Sequence, residues 1–257
     1  MTGAARKAAR AVSRDFGEVE NLQVSQKGPA DFVTRADRKA EKVVVEELKK
    51  ARPKWGFLLE EGGEIAGTDG QHVWVVDPID GTTNFIHGIP HFAVSIGLTR
   101  NGEPVAGVIY NPITDELFAA ERGGGAYLND RRLRVSGRRD ISDAAIACGI
   151  PHRGRGDHAE FRRELAQVQV KAAGIRRAGT ASLDLAWVAA GRLDGYWERG
   201  LQPWDICAGI VMVREAGGFA ADIDGGPNVM NTGDIMAGNE HMQAQLKACI
   251  KAARTTE

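Results

Sequence analysis

Asp77-Pro78-Ile79-Asp80-Gly81 sets two carboxylates three residues apart, with a proline between them and a glycine after the second. Pro78 fixes its own φ and turns its predecessor away from helix, so the chain bends sharply here. Such a bend can aim the Asp77 side chain, the Ile79 carbonyl and the Asp80 side chain at one point. Hard oxygen donors of this kind suit magnesium, which takes near-octahedral oxygen ligands at ~2.0–2.1 Å. The same residues also suit a plain turn in which both carboxylates cap backbone N–H groups. Further carboxylates bear on the choice, although taken alone Glu60 reads as a solvated loop carboxylate and Asp205 as a helix N-cap. Glu60-Glu61 stands upstream in a loop rich in Glu and Gly, and Asp205 follows Trp204 downstream, where it is expected to open a helix running to Ala216. A helix start favours negative charge and offers N–H groups to a phosphate. Were these four carboxylates to converge, the cluster would be costly without cations, and a divalent metal would have to balance it. A metal so held would neutralise a phosphate dianion and lower the pKa of water, the chemistry of phosphate monoester hydrolysis.

These side chains need elements to hold them. Thr34 is an expected N-cap, Asp37 follows in the first turn, and Ala36, Ala40, Val43, Val44 and Leu48 recur at helical spacing until Arg52-Pro53. Lys27-Gly28-Pro29-Ala30 breaks the chain before this helix. Residues 1–14 carry Arg6, Lys7, Arg10 and Arg14 between alanines, the pattern of an amphipathic helix. His72 to Val76 reads as a strand delivering Asp77. Phe92 to Thr99, the turn Asn101-Gly102 and Val105 to Tyr110 form a hairpin pattern. Leu117 to Ala120 and Ala126 to Leu128 continue it. Gly123-Gly124-Gly125 lacks the Lys-Ser/Thr ending of a phosphate loop and reads as a turn. Beyond residue 140 helices are expected over 157–171, 181–190, 205–216 and 240–253, with strands over 194–198, from Ala220, and over 235–237. The pattern predicts an α+β first half, residues 1–140, with an antiparallel sheet and the Asp77–Phe85 motif. An α/β second half, residues 141–257, carries the Trp204–Gly218 motif, and the two form one compact unit.

Composition narrows the function further. The chain has 257 residues, with 33 Lys and Arg against 34 Asp and Glu, so nothing in the overall charge favours nucleic acid. Cys148, Cys207 and Cys249 are odd in number and unpaired by spacing, which suits a reducing compartment. There is no apolar stretch of ~18 residues or signal-peptide pattern, so no membrane role is expected and a cytoplasmic location is.

The run Asp77 to Phe85, followed by Trp204-Asp205-Ile206-Cys207-Ala208-Gly209 and Glu215-Ala216-Gly217-Gly218, closely resembles the two signatures of the inositol monophosphatase family. Asp31 to Thr34 with Asp37, Gly179-Thr180-Ala181 and Trp197-Glu198 extend the resemblance over nearly the whole chain. It implies a layered αβαβα sandwich of the inositol monophosphatase and fructose-1,6-bisphosphatase type. It also implies metal binding by Glu60, Asp77, the Ile79 carbonyl, Asp80 and Asp205, with two or three Mg²⁺ ions. Thr82 and Glu60 are implied to orient the attacking water, with Asp37 behind it. Gly81 and Thr82 are implied to offer N–H groups to phosphate. Gly179, Thr180, Ala181 and Glu198 are implied contacts to the alcohol, and Asp80 and Asp205 also border substrate. The implied reaction is hydrolysis of myo-inositol monophosphate, with lithium inhibition and a homodimeric state. The same chemistry on histidinol phosphate, a 3′-phosphoadenosine nucleotide or fructose bisphosphate is the alternative, as is a non-catalytic role in transcription or RNA processing. Leu59 departs from the glycine usual before Glu-Glu; if that glycine serves a backbone conformation leucine resists, Glu60 is displaced, its metal weakened, and Glu61 serves instead. Cys207 replaces a common alanine, a small-for-small change. His87 and His91 read as a surface turn, Arg131-Arg132 and Arg176-Arg177 as solvated basic pairs with Arg177 within reach of an anionic substrate as the alternative, and Trp187 as core.

Overall fold

The computed structural model describes residues 1–17, 24–28, 31–152, 154, 156–226 and 228–254, with backbone alone for 24–28 and 31–34. Pro29, Ala30 and the Thr34 side chain, expected as chain break and N-cap, lie outside the described residues.

The alanine-rich start forms helix α1 (Thr2–Phe16), whose buried face is Ala4, Ala5, Ala8, Ala9 and Val12. After the two-stranded pair β1 (Val24–Gly28) and β2 (Asp31–Thr34), helix α2 (Arg35–Ala51) buries Ala36, Ala40, Val44 and Leu48 beside α1. Small side chains on α1 allow close helix–helix approach, and their burial holds both helices on one sheet face.

That sheet has eight strands. They are β3 (Gly56–Leu59), β4 (Gly63–Ile65), β5 (His72–Asp80), β6 (Ala93–Arg100), β7 (Glu103–Asn111), β8 (Glu116–Glu121), β9 (Gly125–Leu128) and β10 (Arg131–Arg132). The order is β10-β9-β8-β7-β6-β5-β3-β4, antiparallel except where β3 runs parallel to β5. The alternating pattern sorts side chains to two faces. Trp74, Val76, Val94, Ile96, Leu98 and Val108 meet α1 and α2, whereas Ala93, Ile109, Phe118 and Ala120 meet the middle layer. Strands β3 and β4 were not expected from sequence: a Glu- and Gly-rich stretch read as loop is an edge hairpin.

The middle layer is two helices, α5 (Ala181–Ala189) and α6 (Pro203–Glu215), almost wholly buried. Beyond them lies a five-stranded sheet ordered β12-β11-β13-β15-β14, from β11 (Ala145–Cys148), β12 (Gly174–Arg176), β13 (Gly195–Glu198), β14 (Phe219–Asp222) and β15 (Ile235–Gly238). Strand β11 runs parallel to β12 and β13, and the β13–β15 and β15–β14 pairs are antiparallel. Helices α4 (His158–Gln169) and α8 (Glu240–Ala253) cover its outer face around Ile146, Trp197 and Met236. Two short helices, α3 (Thr82–Ile86) and α7 (Val229–Thr232), complete the set. The layers are therefore helix, sheet, helix, sheet, helix, the αβαβα sandwich expected.

Helix α6 sits unusually close to the large sheet. A Cβ at Gly97 would lie 2.4 Å from Cys207 Sγ, and one at Gly107 would lie 2.6 Å from the Ala208 carbonyl oxygen. On the opposite side a Cβ at Gly209 would meet Leu185 of α5 at 2.4 Å. Glycine is needed at these three contacts, and the run Cys207-Ala208-Gly209 is small because the helix is sandwiched. The sequence placed Asp205 at the opening of this helix; the helix begins two residues earlier, since Pro203 suits the first turn with its fixed φ and missing N–H.

Candidate metal centre and active site

The chain leaves β5 through a bulge between Asp77 and Asp80, the bend that Pro78 enforces. Asp77 Oδ1 accepts the Ile79 N–H at 2.9 Å, and Asp80 Oδ2 accepts the Ser182 N–H at 2.7 Å from the first turn of α5. Asp205, in the first turn of α6, accepts the Gln202 N–H on Oδ2 at 2.7 Å. Each carboxylate is thus braced by at least one backbone donor. Asp77, Asp80 and Asp205 each offer an oxygen, and these atoms all lie within 4.8 Å of one another. A strand end and two helix starts converge there.

The electrostatics register the crowding. Burial first, then the charges of Glu60, Asp80 and Asp205, push the Asp77 carboxyl well above the usual range, and in its protonated form it hydrogen-bonds to Glu60. Burial lifts Asp80 to about 6, against the opposing pull of the Ser182 and Ala181 donors. Asp205 is likewise raised well, by burial and then by Asp80. No cationic side chain is among the causes acting on these three. An all-oxygen, acid-only set with its protons held this tightly fits a hard divalent cation.

The other expected residues are placed as follows. Glu60 is not among the three mutually close carboxylates but stands beside them, acting on Asp77 and Asp205. Leu59 lies in regular β3 with its side chain in the core, and the Glu60 N–H donates to the Val76 carbonyl at 3.2 Å. Thr82 Oγ1 lies 3.0 Å from the Ile79 carbonyl and 3.4 Å from Asp37 Oδ1, and its one proton serves one of them at a time. Asp37 is 1% exposed. Gly81 is left-handed at φ 92°, and a Cβ there would lie 2.4 Å from Thr180 Oγ1, so this corner requires glycine. Gly179 is also left-handed, at φ 85°. Thr180 turns its hydroxyl inward to the His91 carbonyl at 2.9 Å, and the backbone N–H of Ala181 that follows bonds to Asp80 of the site.

Glu198 ends β13. Its Oε2 accepts the buried Tyr196 hydroxyl at 2.5 Å, and burial raises its carboxyl to about 7, the Tyr196 bond opposing the rise. A Cβ at Gly149 would lie 1.7 Å from the Glu198 carboxyl carbon, so Gly149 is the floor on which that carboxylate rests.

Sequence reasoning missed Ser182, Gly149, Tyr196, Asp184 and the part played by Asn84. Asn84 Nδ2 donates to the His91 and Ala178 carbonyls at 2.7 and 2.9 Å. His91 corrects the surface-turn reading: its carbonyl takes both Asn84 and Thr180, and its ring packs edge-on to Trp187 at 5.1 Å. Trp187 is only partly buried, against the core it was expected to join. The Gly123-Gly124-Gly125 turn aims its N–H groups at a carboxylate rather than a phosphate: Glu215 accepts from Gly123 and Gly125 at 2.9 and 2.8 Å. Nothing local in the sequence marks these contacts, which join residues up to 102 positions apart.

The layered sandwich and its acidic corner define a metal-dependent phosphatase. A family model described as the inositol monophosphatase family matches residues 1–256. An inositol-1-monophosphatase of Mesorhizobium japonicum is 60% identical over 251 residues, covering 98% of this chain and 94% of that protein. The protein named Nus factor SuhB of Escherichia coli is 46% identical over 248 residues, with 96% and 93% covered. The crystal structure of the extragenic suppressor protein suhB from Bartonella henselae, 60% identical, superposes with a TM-score of 0.95 over 98% of this chain and 96% of that one. The chain belongs to the inositol monophosphatase family and is a phosphoric monoester hydrolase.

Proposed function

We propose that this protein hydrolyses a myo-inositol monophosphate to inositol and inorganic phosphate. Glu60, Asp77, the Ile79 carbonyl, Asp80 and Asp205 would hold two or three magnesium ions. The observation carrying this reading is the meeting of Asp77, Asp80 and Asp205 within 4.8 Å, from elements that a hundred residues separate. The name of the Mesorhizobium relative supports the substrate. Bound divalent cations supply a lowered pKa for water and neutralise the phosphate. The chain's own residues then do the rest. Thr82 and Glu60 orient the attacking water, and Asp37 braces Thr82 from behind. The N–H groups of Gly81 and Thr82 receive phosphate oxygens. Gly179, Thr180, Ala181 and Glu198 face the alcohol, with Asp80 and Asp205 at its edge. Glu198 accepts hydrogen bonds from polyol hydroxyls, which favours a sugar-like alcohol.

We read residues 1–140 and 141–257 as two halves of one compact unit meeting at this centre, and the protein as a lithium-sensitive homodimer. A cytoplasmic location accords with three free, buried cysteines. Among the described residues no helix is long and apolar enough to cross a membrane.

The test is phosphate release from inositol 1-phosphate and from a 3′-phosphoadenosine nucleotide, with magnesium, with chelator and with lithium. Magnesium-dependent, lithium-blocked turnover of the inositol ester is expected, and dominant turnover of the nucleotide would remove the inositol assignment. Asp80→Asn should lower kcat/KM more than about 100-fold, since it deletes a ligand charge.

The 46% identity to a protein named Nus factor SuhB favours a second reading, a part in transcription through protein contacts. If a cellular phenotype of gene loss is rescued as well by Asp80→Asn as by the parent, that second role operates.

A further inference from the structure

Glu60 stands in the turn Glu60-Glu61-Gly62 that joins β3 to β4, and the hairpin alone holds that turn weakly. Leu59 pairs with Gly63, so these residues carry the chain around. Every residue of β4 is exposed. A segment with so little burial opens locally at low cost, and a side chain it carries moves with it. Glu60 must nevertheless keep its place beside Asp77 and Asp205.

Support arrives from helix α2. Glu41 is only 6% exposed, and its Oε2 accepts the Glu61 N–H at 2.9 Å from 20 positions away in the chain. A carboxylate accepting a backbone N–H makes a charge-assisted bond, roughly twice as strong as a neutral one. The second oxygen lies against the next residue. A Cβ at Gly62 would stand 3.0 Å from Glu41 Oε1 and 3.0 Å from Leu59 Cδ1. The Gly62 backbone is not left-handed, so glycine there answers this close approach and not a conformational demand.

Glu41 also follows Asp37 by one helical turn, which puts both on the same face of α2. Asp37, itself buried, lies 3.4 Å from Thr82 Oγ1. Two buried carboxylates of one helix thus reach both residues proposed above to orient the water, Thr82 through Asp37 and Glu60 through Glu61. Ala36, Ala40 and Val44 seat that helix in the core. The separation of Thr82 from Glu60 is therefore set by a rigid element instead of by a loop.

We infer that Glu41 is a positioning residue of the metal centre: it holds the Glu61 N–H, fixes Glu60 opposite Thr82 and thereby sets the affinity for magnesium. The inference rests on the phosphatase reading above and adds a residue that acts through Glu60 rather than on metal or substrate.

Two substitutions separate reach from charge. Glu41→Asp keeps the charge but withdraws the carboxylate by one methylene, and Glu41→Gln keeps an acceptor oxygen in place. Glu41→Asp is expected to weaken magnesium binding about 10-fold, the scale on which partners behind a ligand tune a metal. Glu41→Gln should retain most of the affinity. Calorimetric titration of chelator-stripped protein with magnesium reads the binding. The magnesium concentration for half-maximal phosphate release from inositol 1-phosphate should rise in parallel, while KM for the ester at saturating magnesium stays near the parent's. Gly62→Ala presses on the same carboxylate from the turn and should weaken magnesium too, with α2 unaltered. Val44→Ala, which removes core packing from the same helix, is the control: a lower melting temperature with magnesium affinity unchanged. Parent-like affinity in both Glu41→Asp and Gly62→Ala would overturn the inference and leave the phosphatase intact. So would a loss in Glu41→Gln or in Val44→Ala equal to that in Glu41→Asp. A parent protein that neither binds magnesium nor releases phosphate would overturn the phosphatase reading itself, and this inference with it.

Discussion

Carboxylates packed this closely in a buried corner are tolerable only while protons or cations divide their charge. Asp77, Asp80 and Asp205 all hold protons above their ordinary range, Asp80 to about 6. The metal-free native state therefore keeps protons that the unfolded chain releases from about pH 4 upward, so ν of the native state exceeds that of the unfolded state. Stability contributed by these groups is present at low pH and lost as pH rises through the folded values. The melting temperature of chelator-treated protein is expected to fall between about pH 5 and 7.5, and magnesium should remove most of that slope. A melting temperature that rises with pH in chelator would contradict it. Glu198 offers a second test. Its bond from Tyr196 opposes the rise to about 7, so Tyr196→Phe should move the ionisation of Glu198 higher. The pH limb of KM for the inositol ester should shift upward with it, and kcat should change less. At this scale the motif residues were legible in the sequence because their types and spacing sit within nine consecutive positions, Asp77 to Phe85. The residues that brace them, such as Ser182 and Gly149, were not, because their value lies only in what approaches them.

At the level of elements, α6 decides whether Asp205 arrives. The helix lies directly on Gly97 and Gly107 of the sheet, and at Gly107 the obstacle is backbone, which cannot swing aside. Gly107→Ala should cost about 1–3 kcal/mol of stability and raise the magnesium concentration needed for half-maximal activity, because the helix must lift with its aspartate. Gly3→Ala, with nothing within 4 Å in α1, serves as the contrast: melting temperature held or raised, magnesium requirement unchanged. Calorimetry with a magnesium titration reads both. The long helices and the β5–β9 hairpins were legible from periodicity and turn residues. Strand β3, edge strand β4 and β11 were not, since three or four residues carry too little pattern to separate strand from loop.

For the molecule as a whole, the site exists only where the two sheets' neighbourhoods touch. Asn84 ties the α3 corner to the chain before α5 through the Ala178 carbonyl while also holding the His91 carbonyl of its own corner, and no other residue type supplies a neutral double donor of that length. Asn84→Ala should cost about 1 kcal/mol by unpairing the partly buried Ala178 carbonyl, the His91 carbonyl keeping its Thr180 donor, and should weaken substrate binding, measured as melting temperature and KM together. The sandwich class was legible from the order of elements and the family resemblance. The register between halves was not, because no local rule specifies contacts across that distance.

Helix α6 also reaches outward: at its far end Glu215 clamps the Gly123–Gly125 turn of the large sheet. This has a consequence for synthesis. While the chain emerges from the ribosome, the eight-stranded sheet is finished well before α5 and α6 exist, so its inner face around Ile109 and Phe118 waits uncovered. Asp205 can join the other two carboxylates only after this late-made, small-residue helix has been synthesised and seated.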